Sequence, residues 1–401
     1  MRQDSLKKKL KNLKVVIVAH EFNVHGGLAD NLKEFFLKNN VGTLLFISHP
    51  LLDEKEWHKN TSRYYYYKNN TLKQAKTAFH YRLPDVFLYG KDILLTIYWS
   101  VMKSRIYDLF IGYDPLNALA GLILKKVGIV KKVIYYSIDY FPQRFENKMI
   151  NSIYHIIDKL CVRFSDETWN VGSRMELARE KYNNMDRRIY NRQYYTPIGI
   201  WYNEIKRKPF EKINKKKILY AGHLAPHMGV ELIIRALPEI IKKVPSVDTE
   251  VIGMGESEGE IKELAKKLGV YDRIMFFDWI GDRKTFEKHL VDSAIGLAPF
   301  LTDSQDDKVK NADPGKIKDY MNAGMVVITT KTLSTYRELE KAKAGVIIDY
   351  DPNQLSYAVL KLLNNDRLLA EYRANALSYV KQFDWNLLFE KNLKRLFSKT
   401  E

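Results

Sequence analysis

Two hydropathy rhythms alternate along the chain. The stretch 13–19 (LKVVIVA) is a nearly unbroken apolar run behind a charged segment, as in a strand buried on both faces of a parallel sheet. A loop containing Gly26 and Gly27 follows. Next come LADNLKEFFLKN, with apolar positions at helical spacing, and a second apolar run at 42–48. Strand, glycine loop, helix, strand is how a doubly wound α/β domain opens. The alternation continues with strands at 107–113, 132–138 and 167–171 and helices at 115–127 and 151–164. The charged segment 207–217 (RKPFEKINKKK) breaks the rhythm and reads as a linker. Beyond it the pattern restarts, with strands at 218–221, 249–252, 274–277, 295–298 and 326–329. The matching helices lie at 230–243, 258–267, 283–291 and 315–323, and 353–399 is mostly helical. The expected fold class is α/β: two doubly wound Rossmann-like domains facing across a cleft, with ligands at the C-terminal strand edges. The first domain spans 1–205 and the second 206–380, followed by a terminal segment 381–401.

The length of 401 residues fits this division, at roughly 150 residues per domain. The lone cysteine, Cys161, excludes internal disulfides and cysteine-based zinc motifs. No apolar run reaches the ~18 residues of a spanning helix, and the basic N-terminus lacks the apolar core of a signal peptide. A soluble, cytoplasmic protein is expected.

Charge is uneven. The whole chain carries +17; residues 1–200 hold 32 Lys and Arg against 19 Asp and Glu, a net +13, and 17 of the 26 tyrosines. The partners such a half would attract are anionic: a membrane surface, a phosphate-bearing substrate or nucleic acid. A lysine-rich proteome would produce the same bias. Segment 63–105 mixes Lys and Arg with Tyr, Trp and Leu. It reads either as a surface that lies on anionic lipid or as an amphipathic helix pair covering the sheet.

The most informative segment is 312–330, ADPGKIKDYMNAGMVVITT. Pro314 and Gly315 open a helix whose N-terminus offers free N–H groups. Lys316 in the first turn opposes the helix dipole, which makes sense if an anion docks there. Asp319, one turn on, could accept two hydrogen bonds from a ribose diol. The alternative is a surface Lys–Asp pair.

This segment resembles the signature of GT-B glycosyltransferases of the family-4-like group (glycosyltransferase group 1). The resemblance implies that Lys316 contacts the diphosphate of a nucleotide-sugar donor and that Asp319 holds the ribose. KKILYAGHLAPHMGVELIIRALPEI resembles the first strand, loop and helix of the donor domain, bringing in Gly222 and His223. VIGMGESEGEIKELAKKLGVYDRIMFFDWI resembles the next units, which places Asp278, Trp279 and Ile280 against the base. Gly26 and Gly27 match the glycine loop under the donor phosphates. FDWNLLFEKNLKRLF resembles the terminal helix that crosses back to the first domain. Two positions depart from the pattern. Where relatives carry a basic pair for the diphosphate, this chain has His223 and Met228. Where they carry the first acid of a paired motif, it has Asn311.

Asp139, just beyond an apolar run in YYSIDYFPQRF, is a candidate general base for an acceptor hydroxyl, or a structural partner of Arg144. His20 and Glu21 are alternative bases or acceptor contacts. Asp303, Asp306 and Asp307 read as a solvated loop; no metal and no cofactor are expected. The reading is a hexosyltransferase-type glycosyltransferase with a nucleotide-sugar donor, a UDP-sugar being favoured, and a glycan or lipid-linked acceptor. It would serve surface polysaccharide synthesis, peripherally at the inner face of the plasma membrane, and bind no nucleic acid. The alternatives are a nucleotide-sugar epimerase of the same shape and a non-catalytic nucleic-acid- or membrane-binding protein.

Overall fold

The first apolar run forms β1 (Lys14–Glu21), behind a basic helix α1 (Gln3–Leu10), and leads to α2 (Leu28–Lys38) and β2 (Thr43–Pro50). A computed structural model describes residues 3–21, 27–50, 61–78, 84–301, 313–332 and 335–398. They fall into two units, one of Met1–Pro197 with Asn386–Glu401 and one of Ile198–Trp385. The expected boundary at 205 lies eight residues further along.

The first unit continues with β3 (Arg63–Lys68), β4 (Thr71–Thr77), α3 (Asp85–Lys103), β5 (Tyr107–Tyr113), α4 (Pro115–Lys126), β6 (Val130–Ser137), α5 (Lys148–Phe164), β7 (Glu167–Asn170), α6 (Met175–Asn183) and β8 (Gln193–Tyr195). Its sheet runs β4-β3-β2-β1-β5-β6-β7-β8. All pairs are parallel except β2 with β3 and β3 with β4. The central strands β1, β2 and β5 are buried on both faces, which explains their unbroken apolar sequences.

Segment 63–105 is therefore not a helix pair. Its first part is a hairpin on the sheet edge, closed by Asn69 and Asn70, both at positive φ. Asparagine tolerates that conformation and suits the tight two-residue turn between antiparallel strands. The run of four tyrosines before it is β-prone.

The second unit comprises β9 (Asn214–Ala221), α7 (Val230–Lys243), β10 (Asp248–Ile252), α8 (Glu258–Lys267), β11 (Ile274–Phe277), α9 (Arg283–Asp292), β12 (Ser293–Ala298), α10 (Gly315–Ala323), β13 (Val326–Thr330), α11 (Tyr336–Lys341), β14 (Gly345–Ile348), α12 (Pro352–Leu363) and α13 (Asp366–Val380). Its six strands are all parallel, in the order β11-β10-β9-β12-β13-β14. The period of two along β9 splits the core: Ile218 and Tyr220 enter one cluster, Leu219 and Ala221 the other. The expected linker 207–217 is corrected at its end. Asn214–Lys217 are the first half of β9, and Lys217 is buried against Glu250 at 2.6 Å. Three consecutive lysines hid a strand because one of them has a buried partner.

The terminal helix α14 (Trp385–Ser398) contributes to the first unit from Asn386 onward. Phe389 meets Phe35 edge-on, and the Arg395 guanidinium donates to both Glu167 carboxylate oxygens at 3.0 and 2.7 Å. Both units are Rossmann-like α/β domains, as the alternating pattern predicts. No described helix is long and apolar enough to cross a membrane.

Candidate functional site

In the second unit the parallel strands end along one edge, and the predicted donor residues follow them. The chain leaves β9 through Gly222, with φ at +148°, and β10 through Gly253, with φ at +145°. The two glycine backbones stack so closely that a Cβ on Gly253 would lie 1.9 Å from the Gly222 carbonyl oxygen. Only glycine allows both the dihedral and the approach.

Gly222 faces Lys316. A Cβ at Gly222 would lie 2.5 Å from the Lys316 amine. Pro314 caps α10, Gly315 opens it against Ile198, and Lys316 follows in the first turn. The Lys316 amine donates to the Tyr220 hydroxyl at 3.1 Å and lies 4.3 Å above that ring's centroid. It is also 5.4 Å from the Phe300 ring centroid and 3.8 Å from Met228 Sδ. Among the described residues no carboxylate pairs with it. Desolvation accordingly lowers its pKa to about 7. Sequence reasoning missed this aromatic surround, which the apolar patterns of β9 and β12 concealed.

Lys318, two residues on, contrasts with it. It is buried, ion-paired with Asp313, and donates to the Ile198 carbonyl at 2.7 Å. It anchors the start of α10.

Asp319 is one turn from Lys316. Burial raises its pKa, and Arg283 of α9 opposes that by donating to Oδ1 at 3.1 Å. Arg283 also binds Glu287 at 2.7 Å. No local pattern marks Arg283, because α9 and α10 meet only in the fold. His223 is exposed and bound to Glu256 at 2.8 Å, so it does not stand beside Lys316 as a second cation. Trp279 and Ile280 lie just past β11, with Trp279 exposed. Asp303, Asp306, Asp307 and Asn311 lie outside the described residues. Among the described residues no group of three His, Cys, Asp or Glu is placed to hold a metal.

In the first unit, Gly26 lies outside the described residues, and Gly27 caps α2. His20, near the end of β1, has a largely buried side chain. Its Nδ1 is 2.7 Å from Asp114 Oδ2, and its Nε2 is 3.4 Å from Asp92 Oδ2. Burial disfavours the imidazolium, but the two carboxylates outweigh that and raise His20 to about 9. At neutral pH it is a clamped cation, unsuited to accepting a proton. Asp114 pays for this geometry with a strained backbone, φ 73° and ψ 161°, a region nearly confined to glycine. The strain is held because Oδ1 caps α4 at the Asn117 N–H (2.9 Å) while Oδ2 holds His20.

Glu21, next along β1, has a buried Oε1 without a hydrogen-bond partner. Burial and nearby Asp30 raise its pKa to about 7, the range in which a general base works best. Asp139 accepts from Arg144 at 2.6 Å, which matches the structural alternative weighed for it, and is more than a third exposed. His20 and Glu21 are thus neighbours on one strand, whereas Asp139 follows β6.

Comparison with known proteins finds that residues 215–365 match the family described as glycosyl transferases group 1. A phosphatidyl-myo-inositol mannosyltransferase of Mycolicibacterium smegmatis is 25% identical over 175 residues, 43% of this chain and 42% of that protein. The chain thus aligns with less than half the length of that curated relative. Among solved structures, Anabaena HepE, determined in complex with UDP-glucose, superposes with a TM-score of 0.68 at 14% identity over 96% of this chain and all of that one. Sucrose-phosphate synthase of Thermosynechococcus elongatus gives 0.68 at 12% identity, over 97% of this chain and all of that one. At these identities the likeness concerns the fold, which is the GT-B type with two Rossmann-like domains.

Proposed function

We propose, from the match of residues 215–365 to the family described as glycosyl transferases group 1, that the chain is a hexosyltransferase-type glycosyltransferase. It takes a sugar from a nucleoside diphosphate sugar and passes it to a hydroxyl of a glycan or lipid-linked acceptor. Surface polysaccharide synthesis is the corresponding process. A UDP-sugar is the favoured donor, in keeping with the UDP-glucose held by HepE. The second unit binds the donor and the first the acceptor.

The observation that carries this reading is Lys316: an amine that no described carboxylate pairs with, in the first turn of α10, held against a glycine whose missing Cβ leaves room for it. A diphosphate supplies the missing charge and restores the ammonium. As the bond from the anomeric carbon to the diphosphate oxygen breaks, negative charge builds on the leaving oxygen. Lys316 and the free N–H groups of α10 stabilise it. Asp319, oriented by Arg283, takes the ribose hydroxyls, and the backbone at 278–280 lies along the base. The acceptor hydroxyl gives up its proton to a carboxylate of the first unit. Asp139 is the assigned base, with Glu21 beside the clamped His20 as its rival. The basic first unit also favours work at an anionic membrane surface, on the cytoplasmic side.

A thermal-shift panel of UDP, GDP, ADP, TDP and CMP tests the donor site. UDP is expected to stabilise the wild type, and Asp319→Ala to lose that shift. Stabilisation by no nucleotide would overturn the reading. Asp139→Asn is expected to lose transfer at unchanged UDP affinity; retained turnover, with loss in Glu21→Gln, would move the base to Glu21.

A further inference from the structure

Helix α5 is apolar on two sides: Cys161 and Val162 are buried in the core, and a second apolar stripe faces away from it. Its buried positions include Asp158, ion-paired with Arg179 at 2.9 Å, whereas Met149, Ile153, Ile156, Leu160 and Phe164 face outward. Those five recur at helical spacing and form one stripe along the outer surface. Ile156 is 59% and Phe164 60% exposed. The neighbouring helices extend the same surface. Helix α4 packs between α3 and α5, and it presents Ile123, with Val127 just past its end. Helix α3 presents Phe87, Leu94, Tyr98 and Met102, again on one stripe. Three adjacent helices therefore expose a shared apolar face, which soluble surfaces rarely carry without a partner.

Charge indicates the partner. The three helices hold seven Lys and Arg. Both acidic residues whose side chains are described in them, Asp92 and Asp158, are buried. Each helix runs into a parallel strand, β5, β6 or β7, so their C-termini line one edge of the face. Lys103, Lys125, Lys126 and Arg163 sit in those last turns, and Arg105 just beyond the first of them. Lys91 is paired with Asp92 at 3.1 Å and Lys125 with Asp166 at 2.6 Å, but no exposed carboxylate is described in the three helices, so a second copy of the chain would bring like charges together here. An anionic bilayer meets both features, since headgroups face the basic edge and acyl chains take the apolar stripes.

We propose that the α3–α4–α5 face docks on an anionic lipid bilayer. This deepens the membrane part of the functional reading and moves its centre. Of the segment singled out in the sequence, 63–105, only α3 takes part, while α4 and α5 supply the rest.

Co-sedimentation of the full chain tests it, using vesicles of phosphatidylcholine alone or with about 30% phosphatidylglycerol. The wild type is expected to bind the mixed vesicles and to release at high salt. Ile153→Glu with Ile156→Glu is expected to weaken binding about tenfold or more, with unchanged unfolding temperature and unchanged UDP binding. Arg105→Glu with Lys126→Glu is expected to weaken binding to mixed vesicles alone. Failure of the wild type to bind, or equal binding by the isoleucine variant, would overturn the proposal. So would a wild-type dimer that the isoleucine variant dissociates, which would assign the face to a second copy. UDP binding is read on the same samples, so failure of the donor reading shows separately.

Discussion

At the end of β1, His20 lies between Asp114 and Asp92. At the start of α10, Lys316 lies among Tyr220, Phe300 and Met228 with no described carboxylate beside it. Both are cations held in protein, yet burial and neighbours move them in opposite directions, His20 up to about 9 and Lys316 down to about 7. The first site has completed its charge balance in the folded chain and has stored backbone strain at Asp114 in doing so. The second leaves its balance open. A site with its counter-charges in place holds structure, whereas one without them is ready for a ligand that brings the charge.

The largest expected effect lies at the saturated site. Asp92 also accepts from Ser62 at 2.8 Å and faces His49 at 3.4 Å, so Asp92→Ala leaves several buried groups unmatched. Urea denaturation is expected to show a loss of about 3–5 kcal/mol, as when one partner of a buried pair is removed. At the open site the effect falls on binding. Lys316→Ala is expected to weaken UDP roughly 100-fold by calorimetry, the worth of a charge-assisted phosphate contact, and to leave uridine binding unchanged.

The pH dependence sharpens the contrast. A bound diphosphate raises the Lys316 pKa above its free value of about 7. UDP affinity is therefore flat below pH 7 and falls as pH rises, by up to about tenfold per pH unit until the bound-state pKa is reached. For folding stability the two sites have opposite signs. The His20 contribution is complete below about pH 6.5, its unfolded value, and is lost as pH rises through about 9. For Lys316 the unfolded chain holds the extra proton above pH 7, so its burial cost is full below pH 7 and fades at higher pH. The smallest expected effect follows: Lys316→Met, which keeps volume and removes the charge, raises the ligand-free unfolding temperature at pH 7 by about 2 °C in a calorimetric scan.

Strand and helix alternation was legible because parallel strands and their covering helices leave unmistakable apolar periods. The limits of α8 (Glu258–Lys267) and β11 (Ile274–Phe277) can be read directly from them. The edge hairpin β3–β4 was not, because β4 is exposed throughout and has no apolar alternation to read. Short β14 and α11 escaped for want of length. Lys316 and Asp319 were visible as a pair one turn apart. Their surroundings were not, since Tyr220, Phe300 and Arg283 come from β9, the end of β12 and α9.

Local order along this chain fixed the long buried strands and their covering helices, where α10 begins, and that an amine and a carboxylate sit in its first turns. Those are properties of neighbours in sequence, governed by backbone periodicity and capping. Whether a charge is matched was decided only by tertiary structure. Lys316 and Lys318 occupy the same helix two positions apart, and in sequence nothing separates them. Folding turns Lys318 toward Asp313 and Lys316 toward aromatic rings, because electrostatic free energy depends on distance in space and on the water excluded between groups.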